Sequence, residues 1–302
     1  MPNIHPLSGI YAAAVTPLKP DSTFDFESIP VLLNFLASRG CHGVLIFGTT
    51  GEGPSFSPSE RESYLRAAAM AGRSIPGFRL LAGTGTPSLS ETIDLTKLAF
   101  DLGFDGVVVL PPYYFRKASD DGLFNWFSEL IHKAVPSDKY ILGYHFPGVA
   151  GIGFSLDLLA RLKDAFPDQF AGIKDSSHDE SLALELGKRF GSDLTVFSGT
   201  DSHFHLALQN GASGAITAPA NILSPGLREI WDLYCAGQDP SAAQTRVTEQ
   251  RHVLENYMPF PPSLKALMNR LFDLPRWAVK PPLEEIGEDK EIRAAKELEA
   301  VN

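Results

Sequence analysis

The chain has 302 residues, 44% of them apolar and 21% charged, and a formal net charge of -10. That length can bury one large α/β core or two smaller ones. The acidic balance argues against nucleic acid and anionic membrane surfaces, both of which need a basic footprint.

Cys41 and Cys235 stand far apart, so neither a disulfide framework nor a thiolate zinc site is suggested, and a reduced cytosol fits best. Residues 1–6 carry no basic start followed by an apolar signal core. No window reaches the roughly 18 apolar residues of a membrane span. A cytoplasmic protein is therefore expected, with neither nucleic acid nor membrane as partner.

In chain order, apolar and β-branched-rich runs fall at residues 9–15, 43–47, 79–82, 106–110, 140–144, 170–173, 194–197 and 214–217. Between them lie helix-start signals such as Ser57-Pro58-Ser59-Glu60 and Ser88-Leu89-Ser90-Glu91, followed by apolar residues three and four apart. Strands that alternate with helices make a parallel sheet. Runs that are continuously apolar belong to a sheet covered on both faces. Eight units predict a (β/α)8 barrel, and no Gly-x-Gly-x-x-Gly follows the first strand to favour a dinucleotide fold. The barrel is expected over residues 1–221. A C-terminal helical extension is expected over 222–302, broken by Pro259-Phe260-Pro261-Pro262 and Lys280-Pro281-Pro282.

Barrel enzymes carry their chemistry on loops at the C-terminal strand ends, and here these loops are polar. Gly48-Thr49-Thr50-Gly51-Glu52-Gly53 can offer backbone N–H groups and two hydroxyls to a small anion, most simply a carboxylate, because it lacks the lysine of a nucleotide loop. Glu52 reads as a base or, better, as a partner for backbone or a neighbour. Tyr144 ends the fifth run and reads either as a proton shuttle or as a packed phenol. Lys174 closes the sixth run in Phe170-Ala171-Gly172-Ile173-Lys174-Asp175. It pairs with Asp175, or it is the nucleophile that desolvation keeps neutral and able to attack a ketone. Cys41 reads as core. His203-Phe204-His205 alternates like a metal pair but opens a helix, where positions two apart do not share a face, so no metal is expected.

Five motifs then coincide along nearly the whole chain: the threonine loop, Pro112-Tyr113-Tyr114, Tyr144-x-x-Pro147 with Gly151, Gly172-Ile173-Lys174-Asp175, and Gly211-x-x-Gly214 with Ala220-Asn221. Together they resemble the dihydrodipicolinate synthase and N-acetylneuraminate lyase family. The resemblance implies a class I, pyruvate-dependent lyase or synthase on a (β/α)8 barrel, without a cofactor and assembled as a homodimer or homotetramer. It implies that Lys174 forms a Schiff base with pyruvate or another 2-oxo acid, with Tyr144 as acid–base group. Thr49 and Thr50 would relay protons and bind carboxylate with Gly48, and the carbonyl of Ile216 would face the pyruvate unit. Tyr114 would complete the relay from a neighbouring subunit.

Departures from the family pattern bear on the second substrate. Val149 stands where the synthases carry an arginine for a carboxylate, and loss of such a contact in a buried site costs on the order of 2–5 kcal/mol. Pro58 and Arg61 stand near where lysine-inhibited synthases carry histidines, so lysine feedback is not expected. Around Ser198-Gly199-Thr200-Asp201 and Gly211-Ala212-Ser213 the match to sialic acid lyases is partial, and that substrate is not favoured. The aldehyde half is expected against His145, Phe146, Val149, Ser176, Thr200 and Asp201; the hydroxyls and histidine suit a 2-oxo-3-deoxy sugar acid, the reading preferred, and the apolar half would also suit a less polar aldehyde. His145, where relatives carry asparagine, reads equally as a residue of the barrel wall. The expected activity is a Schiff-base aldolase. Its alternatives are a synthase or dehydratase on the same scaffold, a non-catalytic 2-oxo acid binder, and a metal-dependent hydrolase.

Overall fold

The computed structural model describes residues 5–191 and 193–301; residues 1–4 of the stretch read for a signal peptide lie outside it. Among the described residues, eight parallel strands close into a barrel in sequence order: β1 (Gly9–Ala13), β2 (Gly43–Ile46), β3 (Arg79–Gly83), β4 (Gly106–Val109), β5 (Tyr140–His145), β6 (Phe170–Asp175), β7 (Thr195–Ser198) and β8 (Gly214–Thr217). Closure comes from β1 pairing with both neighbours, Tyr11 beside Gly43 on one side and Gly9 beside Gly214 on the other. The protein is thus a (β/α)8 barrel, as the alternation of runs implies.

Around the strands stand α1 (Ser28–Ser38), α2 (Pro58–Gly72), α3 (Leu89–Asp101), α4 (Asp120–Ala134), the single turn α5 (Pro147–Ala150), α6 (Leu156–Ala165), α7 (Glu180–Phe190), α8 (Phe204–Gln209) and α9 (Ala220–Cys235). Their starts follow local chemistry. Ser57 accepts the Glu60 N–H while the Glu60 carboxylate accepts the Ser57 N–H at 2.7 Å, a reciprocal cap with Pro58 at the first helical position. Ser88, Ser119 and Ser155 cap α3, α4 and α6 in the same sense. Each such cap contributes about 1 kcal/mol.

Apolar residues divide by strand parity into two cores. Ile10, Val44, Val107, Ile141 and Ile173 face the helices, whereas Tyr11, Leu45, Leu81, Val108, Leu142, Tyr144, Phe197 and Ile216 fill the barrel interior. Strand β6 breaks this parity once. Ile141 pairs with Phe170 but Leu142 pairs with Gly172, so Ala171 is an extra residue in the ladder. Phe170 and Ile173 consequently share the helix-facing core although they are three apart, and Lys174 returns to the inner face. Gly172 is required there, because a Cβ would sit 1.9 Å from the Thr195 carbonyl oxygen.

Most strand ends lie a residue or two from the runs read in sequence, and two boundaries bear on the site and the extension. Strand β6 runs on to Asp175 because Lys174 and Asp175 still pair on both sides, with Tyr144 and His145 of β5 and with Phe197 and Ser198 of β7; backbone ladders ignore side-chain charge. The division expected at residues 221/222 falls inside α9, the helix that follows β8.

Beyond α9 come α10 (Ser241–Glu255), α11 (Phe260–Phe272) and α12 (Glu288–Ala300), with Trp277 fully buried between the last two. No described helix is long and apolar enough to cross a membrane.

Candidate active site

Lys174 lies on the inner face near the C-terminal end of β6, 3% exposed. Register sets Tyr144 beside it on β5, and the Lys174 Nζ stands over the Tyr144 ring, 4.1 Å from its centroid. Asp175, one residue on, faces the other way and accepts the Ser177 N–H at 2.9 Å. Among the described residues no carboxylate forms an ion pair with Lys174, which leaves the structural reading of this amine without its partner. The Tyr144 hydroxyl is 3.5 Å from Thr49 Oγ1, so the ring beneath the amine ends in a phenol that meets the threonine loop.

The threonine loop is held in an improbable shape from below. Phe47 and Glu52 both adopt left-handed backbone angles, φ 57° and 56°, and a Cβ on Gly53 would fall 2.2 Å from the Phe47 carbonyl oxygen. Glu52 does not face the barrel mouth. Its fully buried carboxylate pairs with the Lys265 ammonium of α11 and accepts the Lys280 N–H at 2.8 Å. Burial lowers the Lys265 pKa and the Glu52 charge opposes that shift. Thr16 adds a hydroxyl donated to the Gly51 carbonyl at 2.7 Å, and Arg61 donates to that of Gly53. The loop is therefore anchored with Thr50 buried and Thr49 exposed.

These groups open into a cavity of about 420 Å³. Thr49, Thr50, Tyr144, Lys174 and Ile216 form its floor; Phe146, Val149, Ser176 and His178 come from the loops after β5 and β6. Gly48 borders a separate space of about 30 Å³ that shares Thr49 and Tyr144 with the first. The extension supplies Arg251, Glu255, Met258, Pro259, Phe260 and Pro261. Sequence reading did not assign these six to the site. The only local signal was the proline cluster at 259–262, which marks a break between helices and says nothing of what the break covers.

Three residues expected on the aldehyde side lie off the cavity lining. His145 follows Tyr144 on the strand, so its ring points to the helix layer, where Nδ1 accepts the Phe154 N–H at 2.9 Å. Burial lowers its pKa. Asp201 is fully buried, held by Arg251 Nη1 and by the Thr217 hydroxyl, each at 2.5 Å. Thr200 Oγ1 is 3.4 Å from His178 Nδ1. Tyr114 is 76% exposed, stacked edge-on against Phe115 after β4 and away from Lys174. His203 Nε2 lies 3.1 Å from Glu180, and among the described residues no group of three His, Cys, Asp or Glu side chains is arranged to hold a metal. Cys41 is buried and its thiol pKa is pushed up to about 12 by desolvation.

Fold and site together define a (β/α)8 enzyme of the lyase class. Residues 6–301 match the profile of the dihydrodipicolinate synthetase family, and the chain belongs to that family, whose characteristic chemistry is a Schiff base with pyruvate. It is 37% identical over 292 residues, 96% of each chain, to an uncharacterized DapA-like lyase of Chloroflexus aurantiacus. It is 32% identical over 286 residues, 94% of this chain and 92% of the other, to the 4-hydroxy-tetrahydrodipicolinate synthase of Sorangium cellulosum. Among solved structures, the dihydrodipicolinate synthase of Agrobacterium tumefaciens superposes with a TM-score of 0.86 at 31% identity, covering 97% of this chain and 99% of that one.

Proposed function

We propose that the protein is a class I aldolase that cleaves or forms a 2-oxo acid through a Schiff base on Lys174, with pyruvate as one product or substrate. The observation that carries this reading is the buried Lys174 amine over the Tyr144 ring, with the phenol 3.5 Å from Thr49 Oγ1. The amine attacks C2 of the 2-oxo acid, the carbinolamine loses water, and the iminium draws in the electron pair of the C3–C4 bond. Tyr144 moves the proton to and from the C4 oxygen. Thr49, Thr50 and the N–H groups of the Gly48 loop hold the carboxylate, and the Ile216 carbonyl faces the pyruvate unit. The exposed Tyr114 enters the site of a neighbouring subunit in a homodimer or homotetramer and extends the relay there. The two cysteines, one of them exposed at position 235, suit the cytosol.

Dihydrodipicolinate synthesis is the second reading. It is favoured by the Sorangium relative and opposed by Val149, a side chain on the cavity that cannot clamp a carboxylate. Borohydride reduction of the protein with pyruvate, followed by peptide mass spectrometry, tests the mechanism. A reduced pyruvyl adduct on Lys174 is expected, and its absence sinks the aldolase, the synthase and the dehydratase alike.

A further inference from the structure

Past the reacting amine the cavity is walled by Phe146 and Val149 on one side and by Met258, Phe260 and the prolines flanking Phe260 on the other. Two rings and a thioether offer a ligand contact area but no hydrogen bonds. The polar groups that a polyhydroxylated chain would need are engaged elsewhere. Asp201 is held by Arg251 and Thr217, Thr200 is directed at His178, and His145 takes the Phe154 N–H. Among the described residues, Ser176 is the one hydroxyl left on this wall. A wall whose polar groups are Ser176, His178 and the paired Arg251 and Glu255 offers few hydrogen bonds to a substrate that must bury several hydroxyls.

Charge points the same way. Arg251 is the guanidinium on the wall, and it is bracketed by Asp201 at 2.5 Å and Glu255 at 2.7 Å, two carboxylates around one cation. A further carboxylate on the aldehyde, as in an amino-acid semialdehyde, meets net negative charge and no free clamp.

From these walls we infer that the aldehyde half is apolar and ring-bearing: the enzyme joins pyruvate to an aromatic aldehyde, or releases one from a 4-hydroxy-2-oxo acid. This deepens the Schiff-base reading and rests on it. In cleavage the C4 hydroxyl proton passes to the Tyr144 phenol system, the C3–C4 electron pair enters the Lys174 iminium, and C4 departs as the aldehyde carbon. The enamine takes a proton at C3 and water at C2, which frees pyruvate and restores the amine. Atoms balance without an oxidant or reductant.

The test pairs borohydride trapping of pyruvate alone with aldol assays of the full chain on benzaldehyde, glyceraldehyde and aspartate semialdehyde. The kcat/KM for benzaldehyde is expected to exceed both others by about tenfold or more, and Val149→Arg to lower the benzaldehyde-to-semialdehyde ratio by about tenfold. Val149 is half exposed, so the larger side chain needs no buried space. An adduct on Lys174 accompanied by preference for either polar aldehyde, or by turnover of none of the three, overturns the apolar half and leaves the Schiff base standing. A ratio unchanged by Val149→Arg overturns it too. Without any adduct both readings fall.

Discussion

Tyr144 separates binding of the 2-oxo acid from its chemistry. Its hydroxyl stands 3.5 Å from Thr49 Oγ1 and its ring lies under the Lys174 amine, while that ring also packs against Phe146 at 5.7 Å between centroids. Tyr144→Phe keeps that packing and removes only the proton carrier, so kcat is expected to fall roughly 10²- to 10⁴-fold while borohydride still traps pyruvate on Lys174. Turnover within a few-fold of the parent enzyme in a steady-state assay would remove Tyr144 from the mechanism. Lys174 and Tyr144 were legible in sequence because each ends an apolar run, and the barrel makes strand ends meet. His145 was left open between the aldehyde side and the barrel wall, and the choice was present in sequence: side chains alternate along a strand, so the neighbour of an inward tyrosine points outward.

Segments succeed or fail by their supports. Besides Thr16 and Arg61, the threonine loop is held by Glu52, tied to Lys265 and to the backbone at Lys280, which belong to segments more than two hundred residues away. Removing one member of a fully buried ion pair strands the other charge, at a cost of about 3–5 kcal/mol. Lys265→Met is therefore expected to lower stability by that amount in urea denaturation and to raise the KM for pyruvate. The double variant with Glu52→Gln should recover much of the stability. If Lys265→Met unfolds at the parent's urea midpoint, the pair does not hold the loop. Strands, caps and loops could be read from sequence because their causes are local. The packing of Met258, Phe260 and Arg251 over the mouth could not, since it depends on how an extension folds back across the barrel.

At the scale of the whole molecule Tyr114 stands out, exposed beyond β4 and away from the cavity of its own chain. If it works across an interface, two inactive proteins should repair each other. Tyr114→Phe and Lys174→Ala chains, denatured together and refolded, are expected to regain up to about a quarter of parent activity per site, as statistical pairing of sites in a symmetric dimer allows. Mixtures no more active than the sum of their parts would confine each site to one subunit.

The extra residue at Ala171 reaches furthest. Phe170 and Ile173 both face the helices, so the strand changes phase between them, and everything after that point, the amine included, is read in the shifted frame. A relative that lost this one residue would run in plain alternation, Phe170 outward, Gly172 inward, Ile173 outward, and its lysine would still stand inward beside Tyr144. The direction of the nucleophile is therefore set by its partner on β5, and in relatives it is to be located by that partner and not by its distance from the start of the strand.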